Sequence, residues 1–187
     1  ENSFYTDHPE RAALNGSFVA EELVTVTRRL FPKLSRRYED TYIGGISMGG
    51  YGAAVHGLHR NETFSKIVMM SPAIEADKLF DPAGSNLSGA VPAVLFDTVL
   101  GGAQAYRSSY RNPCQSLREL KEGGKRIPRM HMCCGQQDAL VHDACEHFRG
   151  FLKELGVPLS YDGGDGLHDI PYWDEHLENC FRFLKGK

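Results

Sequence analysis

The sequence predicts an α/β fold in which a mostly parallel sheet is covered by helices on both faces. Short β-prone runs, several of them continuously apolar, occur at 41–46, 66–71, 129–134 and 158–161. Continuous apolar strands are what a sheet buried on both sides requires. Stretches with helical apolar spacing alternate with these runs, and strand–helix alternation implies parallel connections. A length of 187 residues with 41% hydrophobic content gives one domain a real core and leaves no room for two comfortable ones. The expectation is therefore a single α/β domain over 1–187.

Taken in order, residues 1–16 are polar and aromatic without periodicity. Residues 18–31 carry Val19, Leu23, Val26 and Leu30 at helical spacing, with Ser17 as the expected cap and Pro32 as the stop. Residues 41–46 form a short buried strand, and 48–58 a helix packed through small residues. The run 66–71 is a second strand, ended by Pro72. From 73 to 126 the pattern loosens, with helices expected over 91–100 and 112–122. This segment is long enough to read as an insertion or cap over a site. Its Phe80, Leu87, Val94, Phe96 and Tyr106 pack it onto the core or meet a ligand. The strand 129–134 precedes a helix over 144–155, the strand 158–161 follows, and a last helix spans 173–184. That helix carries Trp173, Leu177, Cys180, Phe181 and Leu184 on one face.

Composition excludes several classes. Net charge is −3, with 21 basic and 24 acidic residues spread along the chain, so no nucleic-acid partner is expected. The Arg28-Arg29 and Arg36-Arg37 pairs read as ordinary solvated surface. No apolar run reaches bilayer length and no segment has the makeup of a signal peptide, so no membrane partner is expected. The five cysteines, Cys114, Cys133, Cys134, Cys145 and Cys180, show no Cys-x-x-Cys spacing. They read as buried thiols of a reducing compartment, hence a cytoplasmic location, and neighbouring Cys133 and Cys134 should face opposite sides of their strand. Eight scattered histidines give no ligand spacing, so neither metal nor cofactor is expected.

The chemistry concentrates at Gly45-Ile46-Ser47-Met48-Gly49, between a strand and a small-residue helix. In that setting Gly-x-Ser-x-Gly raises a serine to the apex of a sharp turn, where it serves as a nucleophile. Gly45 and Gly49 are expected to remove side chains that would collide with strand and helix. The serine needs a histidine base, and the base a carboxylate that fixes its tautomer. His168 lies on the loop after the last strand and Asp138 on the loop after the preceding one, both at carboxyl ends of strands. His56 and His59 lie in the helix after the serine, His131 inside a strand, His142, His147 and His176 at or in helices, and His8 in the irregular opening. Among rival carboxylates, Asp162, Asp165 and Asp169 are too near His168 in sequence, and Asp143 is expected to cap the helix from Ala144. The backbone N–H of Met48 is the expected oxyanion donor. A second donor, normally on a loop upstream of the nucleophile's strand, is not visible.

Asn2-Ser3-Phe4-Tyr5-Thr6-Asp7, Glu21-Glu22-Leu23, Gly45-Ile46-Ser47-Met48-Gly49-Gly50-Tyr51-Gly52-Ala53, Cys134-Gly135-x-x-Asp138 and His168-Asp169-x-x-x-Trp173 follow one another along the chain. Together they resemble the esterase D-like, tributyrin esterase-like branch of the α/β-hydrolases, whose relatives include acetyl xylan and feruloyl esterases and S-formylglutathione hydrolase. The resemblance runs end to end. It implies Ser47 as nucleophile, Asp138 as orienting acid, His168 as base and Met48 as oxyanion donor. Members of that branch carry a further stretch ahead of the Asn2-Ser3-Phe4-Tyr5 segment, supplying the first strands and the other oxyanion loop. The expectation is thus an N-terminally incomplete domain with an exposed sheet edge that invites homo-oligomerisation or pairing with the absent segment. Gly166-Leu167 stands where many relatives have Gly-Gly.

The function expected is that of a serine carboxylesterase acting on short-chain acyl esters of an alcohol, a sugar or glutathione through an acyl-enzyme. An acyltransferase or thioesterase would use the same three residues. A non-catalytic binding fragment is the alternative from another class.

Overall fold

The computed structural model describes residues 3–8, 13–75 and 93–186. A two-residue ladder opens the chain: β1 (Asp7–His8) pairs antiparallel with β2 (Ala13–Leu14). A helical run then comprises α1 (Asn15–Ser17), a π-helical turn over Phe18–Glu22 and α2 (Leu23–Leu30). Ser17 is therefore inside the run and does not cap it. Its N–H and hydroxyl instead donate to the Asp7 carboxylate at 2.9 and 2.7 Å, which ties the run to β1. The predicted apolar stripe also lies open, with Leu23, Val26 and Leu30 all exposed.

Among the described residues four parallel strands form the sheet, in the order β3 (Tyr42–Ile46), β4 (Lys66–Met70), β5 (Arg129–Gly135), β6 (Leu159–Gly164). The helix α3 (Met48–His59) follows β3. Between β4 and β5 lie α4 (Ala93–Leu100), α5 (Gly102–Arg107) and α6 (Pro113–Glu122), the last capped by Asn112, whose side chain accepts from the Cys114 N–H. Of the residues expected to pack this segment, Phe80 and Leu87 lie outside the described residues, as do the side chains of Val94 and Phe96. Tyr106 is fully buried. The helix α7 (His142–Leu155) joins β5 to β6, and α8 (Ile170–Lys185) closes the chain.

The strand β4 is almost wholly buried and β5 is buried over all but its first residue, as their apolar runs require. β3 is a correction to the sequence reading. It is only half covered, because among the described residues it pairs on one side alone. One core joins α3, α6 and α7 to the sheet through Tyr51, Leu58, Ile67, Met69, Leu117, Met132, Cys134 and Phe148. The opposite face packs Val68, Met70 and Cys133 against Tyr172, Cys180 and Phe183 of α8. Cys133 and Cys134 thus face opposite layers, as strand alternation demands.

The buried face of α8 differs from the predicted one: it consists of Tyr172, His176, Cys180 and Phe183, while Leu177 and Phe181 are exposed. Two polar residues in the true stripe, one of them a histidine, disguise it. Asp143 likewise does not cap α7, which begins at His142 with Val141 ahead of it. Among the described residues no helix is long and apolar enough to cross a membrane.

Candidate active site

All four strands point their carboxyl ends the same way, and the first residues beyond them meet. Beyond β3, Ser47 extends the ladder by donating its N–H to Met70 O at 2.8 Å. Beyond β4, Ser71 does the same to Cys133 O at 2.7 Å. Ser47 then turns sharply into α3 with φ 55° and ψ −118°, a left-handed backbone costly for a residue with a side chain. The crowding that forces this turn is at Gly45, where an added Cβ would come within 2.2 Å of Gly49 O and 2.3 Å of its carbonyl carbon. Gly49 is different from expectation: a Cβ there meets only the Tyr5 hydroxyl, at 3.7 Å. The further tight positions are Gly50, against Pro72, and Gly52, against the Tyr5 ring.

The loops after β5 and β6 are zipped together. Gln136 N–H donates to Gly164 O at 2.8 Å and Gln137 N–H to Gly166 O at 3.0 Å. The Gln137 side chain donates to Asp165 and accepts from the Gly166 N–H. Gly135 and Gly166 touch backbone to backbone, so a Cβ on Gly135 would sit 2.2 Å from Gly166 O. This close approach brings Asp138 and His168 into one hydrogen-bonded line with Ser47. His168 Nδ1 is 2.7 Å from Asp138 Oδ2, and His168 Nε2 is 2.9 Å from Ser47 Oγ.

Asp138 is 1% exposed, and its other oxygen accepts from the N–H groups of Leu140 (3.1 Å) and Val141 (3.2 Å). Burial pushes its carboxyl toward the neutral form. The His168 hydrogen bond and charge, with the two backbone N–H groups, outweigh burial and hold it below the usual carboxylate range. An ionised carboxylate only accepts, so the proton between the two groups belongs to Nδ1, and Nε2 is left to accept from the Ser47 hydroxyl. The Met48 N–H heads α3 beside Ser47, where a helix has no internal partner for it.

The rival carboxylates are occupied elsewhere. Asp162 accepts from Asn179, Asp165 from Gln137, and Asp169 caps α8 by accepting from the Tyr172 N–H. His56 bonds Tyr5 O and His131 bonds Ser160, both away from Ser47. Among the described residues no group of three or more His, Cys, Asp or Glu could hold a metal ion.

A family model described as "Putative esterase" matches residues 2–184. The chain belongs to that esterase family. It is 33% identical to an acetyl esterase of Caldicellulosiruptor saccharolyticus, covering 98% of this chain and 68% of that protein. Among solved structures it is similar to the fluorophosphonate-binding serine hydrolase FphF of Staphylococcus aureus, with a TM-score of 0.79 at 25% identity. That match spans 97% of this chain and 67% of FphF. An S-formylglutathione hydrolase of the same organism matches at TM-score 0.71 and 29% identity, over 87% of this chain and 61% of that one. The chain thus spans roughly two thirds of the length of these relatives. The fold of this esterase is of the α/β-hydrolase type, and its family chemistry is that of serine hydrolases of carboxylic esters.

Several residues that build the esterase's site escape sequence reading. Gln137 and Gly166 look like ordinary turn residues. Ser71 looks like the end of a strand. Only their partners across the sheet give them a role, whereas Trp173 stands out in sequence by lying five residues after His168. Trp173 in fact packs its ring edge-to-face with His168, centroids 5.1 Å apart at 86°.

Proposed function

We propose that this esterase hydrolyses short-chain acyl esters through an acyl-enzyme on Ser47, with His168 as base, Asp138 as orienting acid and the Met48 N–H as an oxyanion donor. The observation carrying this reading is the single line from Asp138 through His168 to Ser47, at 2.7 and 2.9 Å. Ser47 Oγ attacks the ester carbonyl while its proton passes to His168 Nε2. The negative charge that develops on the carbonyl oxygen falls beside the Met48 N–H, at the positive end of α3. Collapse of the tetrahedral species breaks the bond to the alcohol, which leaves with the Nε2 proton. Water, deprotonated by Nε2, then attacks the acyl carbonyl, and the proton returns to Ser47 Oγ as the acid departs.

Asp138 stays ionised throughout, and its negative charge offsets the imidazolium that forms twice in each cycle. The acetyl esterase relative supports a small acyl group. We take residues 73–126, of which 76–92 lie outside the described residues, as a candidate cap for the acyl and alcohol subsites. It is fastened to α3 by the Tyr51 hydroxyl, which donates to Arg111 O at 2.7 Å.

The test is hydrolysis of p-nitrophenyl acetate and butyrate by the wild type beside Ser47→Ala. The expected result is a burst and steady turnover in the wild type, with turnover lowered by on the order of 10⁴ or more in the variant. Equal rates in both proteins would refute Ser47 as the nucleophile.

A further inference from the structure

His168 sits on the irregular loop between β6 and α8, not on a rigid element. Its ring is held at one end by Asp138 and at the other by Ser47. Two hydrogen bonds at opposite nitrogens fix the direction of the ring but restrain its tilt poorly. One of them also disappears during the proposed cycle, because an acylated Ser47 has no hydroxyl proton to donate. Something else must keep Nε2 aimed at the alcohol that leaves and the water that enters.

Trp173 is placed to do so. It lies in the first turn of α8 and meets His168 perpendicularly. Its own orientation is fixed from across the sheet, where the indole Nε1–H donates to Ser71 Oγ at 3.1 Å. Ser71 is fully buried and has a left-handed backbone, φ 42°, a conformation that persists only where surrounding contacts dictate it. Those contacts are the Ser71 N–H to Cys133 O at 2.7 Å and the indole on its hydroxyl. Two residues on, the Ala73 N–H donates to the carbonyl of Ser47 itself at 3.1 Å. Pro72 between them packs against Gly50 so closely that an added Cβ there would lie 2.9 Å from it. The turn 71–73 therefore grips the nucleophile's turn on one side and the tryptophan on the other.

We infer that Ser71 and Trp173 are positioning residues for His168: the turn after β4 braces the base through the indole while Ser47 is acylated. This rests on the reading of Ser47 and His168 given above. Ser71 is fully buried, and Trp173 acts through its contact with the His168 ring. Their contribution belongs to the alignment of Nε2, so it enters turnover and not substrate affinity. A misplacement of about 1 Å in such a group costs as much as 10²-fold, and loss of one brace contact is expected to cost about ten-fold.

The test compares wild type, Ser47→Ala, Ser71→Ala, Trp173→Phe and the Ser71→Ala/Trp173→Phe double variant on p-nitrophenyl acetate, each checked by circular dichroism. Trp173→Phe keeps an aromatic ring beside His168 while removing the N–H and part of the indole's bulk, so it carries the test should Ser71→Ala fail to fold. Expected are kcat values lowered about ten-fold in each single variant with KM unchanged, and a loss in the double well short of the product of the two, since both changes delete the same hydrogen bond. The proton NMR resonance of the His168 Nδ1–H should broaden in both single variants. Wild-type kcat with a sharp resonance would overturn the brace, as would additive losses in the double variant or an effect confined to KM. Activity retained by Ser47→Ala would instead refute the nucleophile, and the resonance would still report whether the indole holds the ring.

Discussion

The two glycines of the Gly-x-Ser-x-Gly turn look equivalent in sequence and are not equivalent in space, which makes them a sharp test. In Gly45→Ala the new methyl would stand 2.2 Å from Gly49 O and 2.3 Å from its carbonyl carbon. Carbon contacts are comfortable only near 3.5–4.0 Å, so the overlap exceeds about 1 Å. The clashing atoms are backbone on both sides, held by the ladder bond from Ser47 N–H to Met70 O and by the start of α3. No side chain can swing away. Overpacking of this kind costs about 1–3 kcal/mol, and for a chain of this size each kcal/mol lowers Tm by about 2–4 °C.

Relief by backbone movement would shift the apex serine by a comparable distance, for which about 10² in kcat is the expected cost. In Gly49→Ala the methyl meets only the Tyr5 hydroxyl at 3.7 Å. Gly49 is in the first turn of α3, where the interior preference for Ala over Gly is only partly felt, so this variant should be about as stable as wild type. Thermal melts by circular dichroism with p-nitrophenyl acetate kinetics on the same samples decide the matter. Gly45→Ala at wild-type Tm and kcat, or Gly49→Ala damaged as badly as Gly45→Ala, would refute the assignment of crowding to Gly45.

Asp138→Asn should leave the fold intact and lower kcat by about 10⁴, because an amide no longer selects the Nδ1–H tautomer; residual turnover near wild type would remove Asp138 from the site. The same variant carries a pH signature. The Asp138 pKa is depressed in the folded state, so its ionised form stabilises the fold above the unfolded value of 3.8. That contribution is lost as pH falls through the folded value below it. Urea-melt midpoints should therefore fall faster as pH drops below 4 in wild type than in Asp138→Asn, and parallel pH dependences would contradict the assigned direction. Asp169→Ala removes the cap of α8 and should cost about 1 kcal/mol, or about 2–4 °C in Tm; an unchanged melt would show that the Tyr172 N–H finds another acceptor.

Much of this architecture could be read from the chain. Strands β4 and β5 announce themselves by unbroken apolar runs, Ser47 by its Gly-x-Ser-x-Gly turn, and Asp138 and His168 by their loops after successive strands, since parallel strands deliver their next residues to one end of the sheet. Failures occurred where a neighbour decides the outcome. Ser17 reads as a cap until Asp7 is seen to bind both its N–H and its hydroxyl. The stripe of α8 was misjudged because Tyr172 and His176 bury polar side chains by bonding Asp162 O and Tyr172 O. Asp143 loses its capping role because α7 begins two residues earlier than its apolar spacing suggests. Strand β3 looks as buried as β4 in sequence, yet burial is a property of partners, and the described residues cover only one of its edges.

The placement of the cysteines on opposite faces of β5 supplies the esterase with built-in reporters. Cys133 on β5 meets Cys180 of α8 in one layer, Cys134 on β5 and Cys145 of α7 lie in the other, all four buried and none in a disulfide. Cys114 alone of the five is partly exposed. A thiol reagent added to the native protein should therefore modify one site quickly. The other four then become clocks for the opening of each helical layer, read separately by mass spectrometry without altering a single residue.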